Sequence, residues 1–258
     1  MLTQVRKMFY RARGYYAGSL NGEAFRLDPY HSKFWRKAGS GAWEPETFAV
    51  LDKHLNSNSD YLDIGAWIGP TVLFGARKAR NVMCFEPDPV ALRHLLWNLE
   101  LNNLRNVSAF GVALSDSFGT ARMASFGGEA GDSMSSLLNS EASDREGHGT
   151  DALTISWDQF SKSVDLSGVS LVKMDIEGAE FSVLPTLLPW LKEHRPALYL
   201  STHAPFLTPK ERELRMKELS KSLSFYGEIS DETGKSVTPD DFGNTEYLTR
   251  FPSFLFTN

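Results

Sequence analysis

The chain has 258 residues, 41% of them hydrophobic and 23% charged, with a formal net charge of -5 at pH 7. That size buries a full core, so one domain with a decorated end is expected, and the negative balance excludes a broad basic face for a phosphate backbone despite Arg6, Lys7, Arg11 and Arg13 near the start. The single Cys84 rules out an internal disulfide or a thiolate metal site, and no apolar run approaches the roughly 20 residues of a membrane span.

No nucleic-acid partner is therefore expected. With no secretion-type apolar stretch at the start, a cytoplasmic location is the expectation.

Residues 1–58 read as a helical or irregular, aromatic-rich extension, and residues 59–258 as the domain proper. From Tyr61 onward, short apolar runs alternate with helical patterns, the arrangement of a parallel sheet covered on both faces. The first run, Tyr61 to Ile64, meets a glycine-rich turn, and Pro70 suits the first position of a helix through Arg80. Asn81 to Phe85 is the second run. Asp88 and Pro89 then cap and open a helix whose leucines, Leu92, Leu95, Leu96 and Leu99, mark a buried face.

Further runs fall at Val107 to Ala113, Leu171 to Ile176, Ala197 to Ser201, Phe225 to Ile229 and Ser253 to Thr257. They give roughly seven strands. Residues 124–150, rich in Gly and Ser, read as a mobile loop able to close over a substrate. Thr208 to Glu211 resembles a capping box opening a helix to about Leu219.

Five local patterns carry chemistry. DIGAWIG (63–69) ends the first strand, where open α/β sheets place ligands, and Gly65 and Gly69 permit close backbone approach. Asp63 would repel a pyrophosphate but suits a cationic ligand such as a sulfonium amino acid, which argues against the dinucleotide fingerprint. Glu86, in FEPDP, ends the second strand 23 residues later, close to the spacing of about 20 that puts a carboxylate on ribose hydroxyls. Each motif alone also has a plain reading, as a structural turn or a helix cap. With ALSD (113–116) ending the third strand, the set outlines an adenosine site.

KMDIEGAE (173–180) clusters Lys173, Asp175, Glu177 and Glu180 at the end of the fourth strand, where charge must be paired if it is buried. The plain reading is an ion pair between Asp175 and Lys173, or a cap, and it stands as the alternative to a functional role for Lys173 and Glu180, while Asp175 and Glu177 should face the crevice. His203 follows the fifth strand over the same crevice and can exchange a proton near neutral pH, whereas His31, His54, His94, His148 and His194 read as surface or core residues.

These motifs, with WEPET (43–47) upstream, resemble the FkbM family of S-adenosylmethionine-dependent methyltransferases over roughly Trp43 to His203. The resemblance implies a Rossmann-like class I methyltransferase fold, a seven-stranded, mostly parallel sheet with helices on both faces and a reversed final strand. It also implies S-adenosylmethionine as cofactor, S-adenosylhomocysteine as product, and O-methylation of a sugar, glycan or natural-product hydroxyl.

On that reading Asp63, Gly65, Ala66, Gly69, Glu86, Pro87 and Asp175 hold the cofactor, with Ala113 and Leu114 beside the adenine. His203 would be the general base, and Asp175 and Glu177 would orient acceptor and base. Mg²⁺ is not favoured, since Asp175 is one firm oxygen ligand where a hard cation wants several, so no metal ligands are assigned. Two rivals stand: a nicotinamide-dependent oxidoreductase, against which count the missing third glycine and the aspartate at the turn, and a non-catalytic cofactor-binding module. The DIEG sequence replaces the Asn-Pro-Pro-aromatic run of nitrogen methylation, which favours oxygen. Pro70 stands where the family is commonly aromatic, and Pro185 should bend or end the helix after KMDIEGAE.

Overall fold

The structure, a computed structural model, describes residues 2–125, 135–136 and 150–258. In chain order, α1 (Leu2–Arg13) leads to an antiparallel hairpin, β1 (Tyr16–Leu20) and β2 (Glu23–Leu27), then α2 (Ser32–Gly39) and α3 (Pro45–His54). The alternating half of the chain follows: β3 (Asp60–Ile64), α4 (Pro70–Lys78), β4 (Asn81–Phe85), α5 (Pro89–Leu101) and β5 (Val107–Phe110). After β6 (Ala113–Ser115), β7 (Gly119–Ser125), β8 (Ser135–Ser136) and β9 (Thr150–Ser156) come α6 (Trp157–Ser161), β10 (Val169–Met174), α7 (Glu180–His194) and β11 (Ala197–Ser201). The chain closes with α8 (Pro209–Ser222), β12 (Glu228–Asp231), α9 (Thr245–Leu248) and β13 (Ser253–Thr257).

Seven strands form the main sheet in the order β12-β13-β11-β10-β3-β4-β5. Its last strand, β13, runs antiparallel to both neighbours, and the other pairings from β11 to β5 are parallel. This is the expected Rossmann-like α/β sheet with its reversed final strand.

Strand side chains alternate between two cores because the pleat has a period of two and both faces are covered. Leu62, Ile64, Met83, Phe85, Val172, Met174, Leu198 and Leu200 face one core, with Phe160, Leu187 and Met216 from α6, α7 and α8. Tyr61, Val82, Cys84, Leu171 and Tyr199 face the other, with Trp35, Phe48, Phe74 and Leu95 from α2 to α5. Leu20, Phe25 and Leu27 of the hairpin belong to that second core. Within the segment expected as a helical or irregular extension, the hairpin, α2 and α3 thus pack into this second core.

Four expectations need correction. Leu96 is 48% exposed, so the buried face of α5 rests on Leu95 and Leu99. The Val107 to Ala113 run is two strands, β5 in the main sheet and β6 in a four-stranded sheet of order β6-β9-β7-β8. Between them Gly111 passes Leu92 so closely that an added Cβ would lie 2.7 Å from its Cδ2. Pro185 and Pro189 both sit inside α7, which continues through them. Burial of Val183, Leu184, Leu187 and Leu191 offsets the missing N–H bonds there. Finally, the sixth strand starts at Glu228 rather than Phe225. The loop expected at 124–150 lies largely outside the described residues; Ser135–Ser136 pair with β7.

Truncating Leu62, wholly buried in the first core, should cost about 2–5 kcal/mol. Leu96→Ala should stay within about 0.5 kcal/mol of the parent. Urea denaturation of the two variants checks the burial of Leu62 in β3 and the exposure of Leu96 on α5.

Candidate active site

The turn after β3 is pinned from both sides. Gly65 and Ala66 donate their N–H groups to the carbonyl of Phe85 at 3.1 and 3.0 Å, and Asp175 N–H donates to Ile64 O at 2.9 Å. Gly65 has φ 92, and a Cβ there would lie 1.8 Å from the Asp175 carbonyl oxygen. At Gly69 (φ 94) a Cβ would meet Leu95 Cδ1 at 2.4 Å. The two glycines therefore let protein approach protein at the turn, and Gly65 also lines the cavity above it.

Asp63 lies beneath the same turn. It is wholly buried. Its Oδ2 accepts from Tyr61 Oη at 2.9 Å and Thr71 Oγ1 at 2.6 Å, while Oδ1 faces Lys173 Nζ at 3.3 Å. The carboxylate is committed beneath the turn and does not line the cavity above it, nor does Gly69. Lys173 continues the chain of charge to Asp175 Oδ2 at 3.8 Å and to the Gly65 carbonyl at 3.4 Å. Burial opposes the ammonium, but Asp63, Asp175 and Glu44 hold its pKa above the usual lysine value. The plain ion-pair reading of Lys173 is what the geometry gives.

Above the turn, Gly65, Ala66, Glu86, Pro87, Ala113, Leu114 and Asp175 line one cavity at the carboxyl ends of β3, β4 and β10. Glu86 Oε2 accepts the Trp67 N–H at 2.7 Å and Oε1 the Asp88 N–H at 2.8 Å, so one lone pair per oxygen remains on a carboxylate fixed by backbone. Burial raises its pKa to about 7, with the two N–H bonds opposing the rise.

A second cavity adjoins this one and shares Glu44, Asp175 and Glu177 with it; His203, Ser201 and Glu232 complete much of its wall. His203 is 4% exposed. Its Nε2 lies 3.5 Å from Asp175 Oδ1 and 3.3 Å from Glu177 Oε2. On its other side, wholly buried Glu180 accepts the His203 N–H at 2.6 Å and faces Nδ1 at 3.3 Å. Burial would depress the imidazole, yet Glu180, Asp175 and Glu177 raise it to about 9. Asp175, Glu177 and His203 each present a ligand atom within 4.8 Å of the others, more than the one oxygen donor foreseen for a cation.

Glu44 is the residue that sequence reasoning missed. It stands at the N-cap of α3 with φ 43, and its Oε2 accepts from Thr47 Oγ1 at 3.0 Å. Burial, then the charge of Asp175, raises its pKa to about 7. WEPET was visible as a segment; that its glutamate reaches the crevice depends on how α3 packs. Trp67 (φ 48) and Glu177 (φ 51) share this left-handed backbone and also line the first cavity.

The strand order, the reversed β13 and a crevice at these strand ends define the class I methyltransferase fold. Residues 63–223 match the methyltransferase FkbM domain, well over half of the chain, which belongs to the FkbM methyltransferase family. Among solved structures it is similar to methyltransferase FkbM from Methylobacillus flagellatus KT, at 19% identity over 78% of this chain and 44% of that one, with a TM-score of 0.48. It is also similar to M. jannaschii TYW2 in complex with AdoMet (14% identity, 94% and 84% coverage, TM-score 0.45) and to precorrin-6y C5,15-methyltransferase from Geobacter metallireducens GS-15 (12%, 83% and 85%, 0.42). The chain thus spans less than half the length of the Methylobacillus protein. No curated protein matches it.

Removing one partner of a buried ion pair strands the other. Lys173→Met should therefore destabilise the fold by about 3–5 kcal/mol, and adding Asp63→Asn should restore part of that loss. Chemical denaturation of the single and double variants measures both.

Proposed function

We propose that this methyltransferase uses S-adenosylmethionine to methylate a hydroxyl of a small molecule, a sugar, glycan or natural-product scaffold. The observation that carries the reading is the pair of adjoining cavities that share Glu44, Asp175 and Glu177, one walled by Glu86 and the other by His203. S-adenosylmethionine, when bound, supplies a methyl group on a positively charged sulfur.

The residues fit that cofactor. Glu86 keeps a lone pair on each oxygen for the two ribose hydroxyls, Pro87, Ala113 and Leu114 offer an apolar wall for adenine, and Gly65 and Ala66 offer backbone. Asp63 and Gly69 act from underneath, through Lys173 and the packing of the turn. An excess of carboxylate around the crevice favours a cationic ligand over a pyrophosphate, which counts against the oxidoreductase alternative. A non-catalytic cofactor-binding module would have no use for a histidine gripped by three carboxylates at the acceptor side.

In the second cavity Asp175 and Glu177 would orient the acceptor hydroxyl, and His203 would take its proton. A raised pKa means that the imidazole carries a proton at neutral pH and is free to accept one only as pH rises through about 9. Glu44 favours a second assignment of the base, since it borders both cavities and its pKa is raised to about 7.

Calorimetric titration of the chain with S-adenosylmethionine and S-adenosylhomocysteine should give micromolar binding that weakens at least tenfold in Glu86→Ala. NADH binding in place of both would overturn the proposal. With an acceptor in hand, His203→Ala should lower kcat by about 10²–10⁴-fold and abolish a rise in rate that centres near pH 9. An inflection near pH 7 that survives this substitution and disappears in Glu44→Gln would instead assign the proton to Glu44.

A further inference from the structure

On the outer side of the glycine turn, the segment between β2 and α2 places Asp28 and His31 against His94 of α5. Asp28 is wholly buried and His94 is 5% exposed. Nδ1 of His31 lies 2.9 Å from Asp28 Oδ1, and Nδ1 of His94 lies 3.4 Å from the same oxygen. The two imidazole rings meet edge to face with centroids 4.6 Å apart, and the three residues present ligand atoms within 4.8 Å of one another.

Part of this cluster has a purely structural explanation. Asp28 Oδ1 accepts from the N–H groups of Tyr30 and His31, both at 3.1 Å, and Oδ2 accepts from Trp35 Nε1 at 2.9 Å. The carboxylate thereby anchors the entry to α2. That anchor is complete without His94, whose Nδ1 is buried, faces the carboxylate and makes no hydrogen bond. A buried nitrogen that faces a carboxylate at 3.4 Å without a well-formed hydrogen bond is costly, and it needs a reason.

We propose that Asp28, His31 and His94 bind one divalent cation of the zinc class through a carboxylate oxygen and two imidazole Nδ1 atoms. Two imidazoles and one carboxylate form a donor set for borderline transition cations rather than for Mg²⁺. Bonds of about 2.0–2.1 Å in a tetrahedral site put donor atoms roughly 3.3 Å apart, close to the 2.9 and 3.4 Å found here. His31, whose side chain is 26% exposed, is the solvent-facing member of the three and the side from which an ion and its water would come.

Outer contacts that orient the ligands are present as well. Trp35 holds the second oxygen of Asp28, and the Asp28 N–H donates to Asn98 Oδ1 at 2.7 Å. Asn98 Nδ2 in turn donates to Ile68 O at 2.9 Å, within the DIGAWIG turn. Two sets of contacts must yield: Asp28 Oδ1, which accepts the Tyr30 and His31 N–H groups and faces His31 Nδ1, gives up at least one of these to take the ion, and the exposed Arg93 that reaches His94 Nε2 at 3.3 Å withdraws, since that nitrogen carries the proton once Nδ1 binds metal. The ion would clip the N-terminal segment to α5, one hydrogen-bonded residue away from the cofactor turn.

The test is titration of the metal-stripped full chain with Co²⁺, whose visible absorption reports a tetrahedral site, followed by displacement with Zn²⁺. One saturable equivalent at micromolar concentration is expected, retained in His203→Ala and weakened at least about 100-fold in His31→Ala and His94→Gln. Zn²⁺ should raise the melting temperature of the parent and leave that of His31→Ala unchanged. His31 is partly exposed, so a metal-free His31→Ala chain that melts with the parent makes the loss one of a ligand rather than of the fold. Absence of saturable binding, or binding abolished by His203→Ala and untouched by His31→Ala, overturns the proposal.

Discussion

The rest of the crevice depends on one buried ion pair, Asp63 with Lys173. These residues are direct neighbours in the register of β3 and β10, the two central strands, and both lie almost out of reach of water. A charge there is tolerated only if every lone pair and proton finds a partner, which Tyr61, Thr71, the Gly65 carbonyl and Asp175 supply. Slipping the register by one residue would turn one member of the pair toward the opposite apolar core and leave two uncompensated charges. The pair therefore fixes how the two strands align, and through them where the turn after β3 meets the end of β10.

What sits above this pair is an imbalance of charge. Glu44, Asp175, Glu177 and Glu180 converge on the same few ångströms as Lys173 and His203, so carboxylates outnumber cations. The protein accommodates the excess by raising pKa values: the protons stay on Glu44 and His203 at pH values where the free side chains would have released them. Titration of this cluster is thus a property of the neighbouring groups together rather than of any one side chain.

The sheet was legible in the sequence because both of its faces are buried, and continuous apolar runs ended by turn residues have few other readings. Asn81–Phe85, Ala197–Ser201 and Ser253–Thr257 fall where the pattern put them. The motifs at the strand ends were legible for the same reason, since a parallel strand delivers its last residues to one edge. Which side of the pleat a charged residue takes was less visible: Asp63 and Glu86 both stand at strand ends, yet one points into the protein and the other into the cavity.

Glu44 and the partnership of Asp28 with His31 and His94 were hidden for a different reason. Contacts between residues tens of positions apart leave no local periodicity, so His94 read as one more helical residue and Glu44 as part of a conspicuous segment without a role. The prolines of α7 mislead in the opposite sense, because a strong local rule is overridden there by burial of the surrounding leucines.

Three non-glycine residues on the wall of the first cavity, Glu44, Trp67 and Glu177, hold backbone conformations that glycine would adopt without strain. Selection for robustness alone would replace them, since each contributes a local energetic burden of order 1 kcal/mol or more. Glu44 and Glu177 border the second cavity as well, so two of the three stand where the cavities adjoin. The crevice is thus the part of this fold where evolvability toward heat resistance and evolvability toward new ligands pull against each other: relaxing the wall would harden the scaffold while changing the shape of the space that the two cavities share.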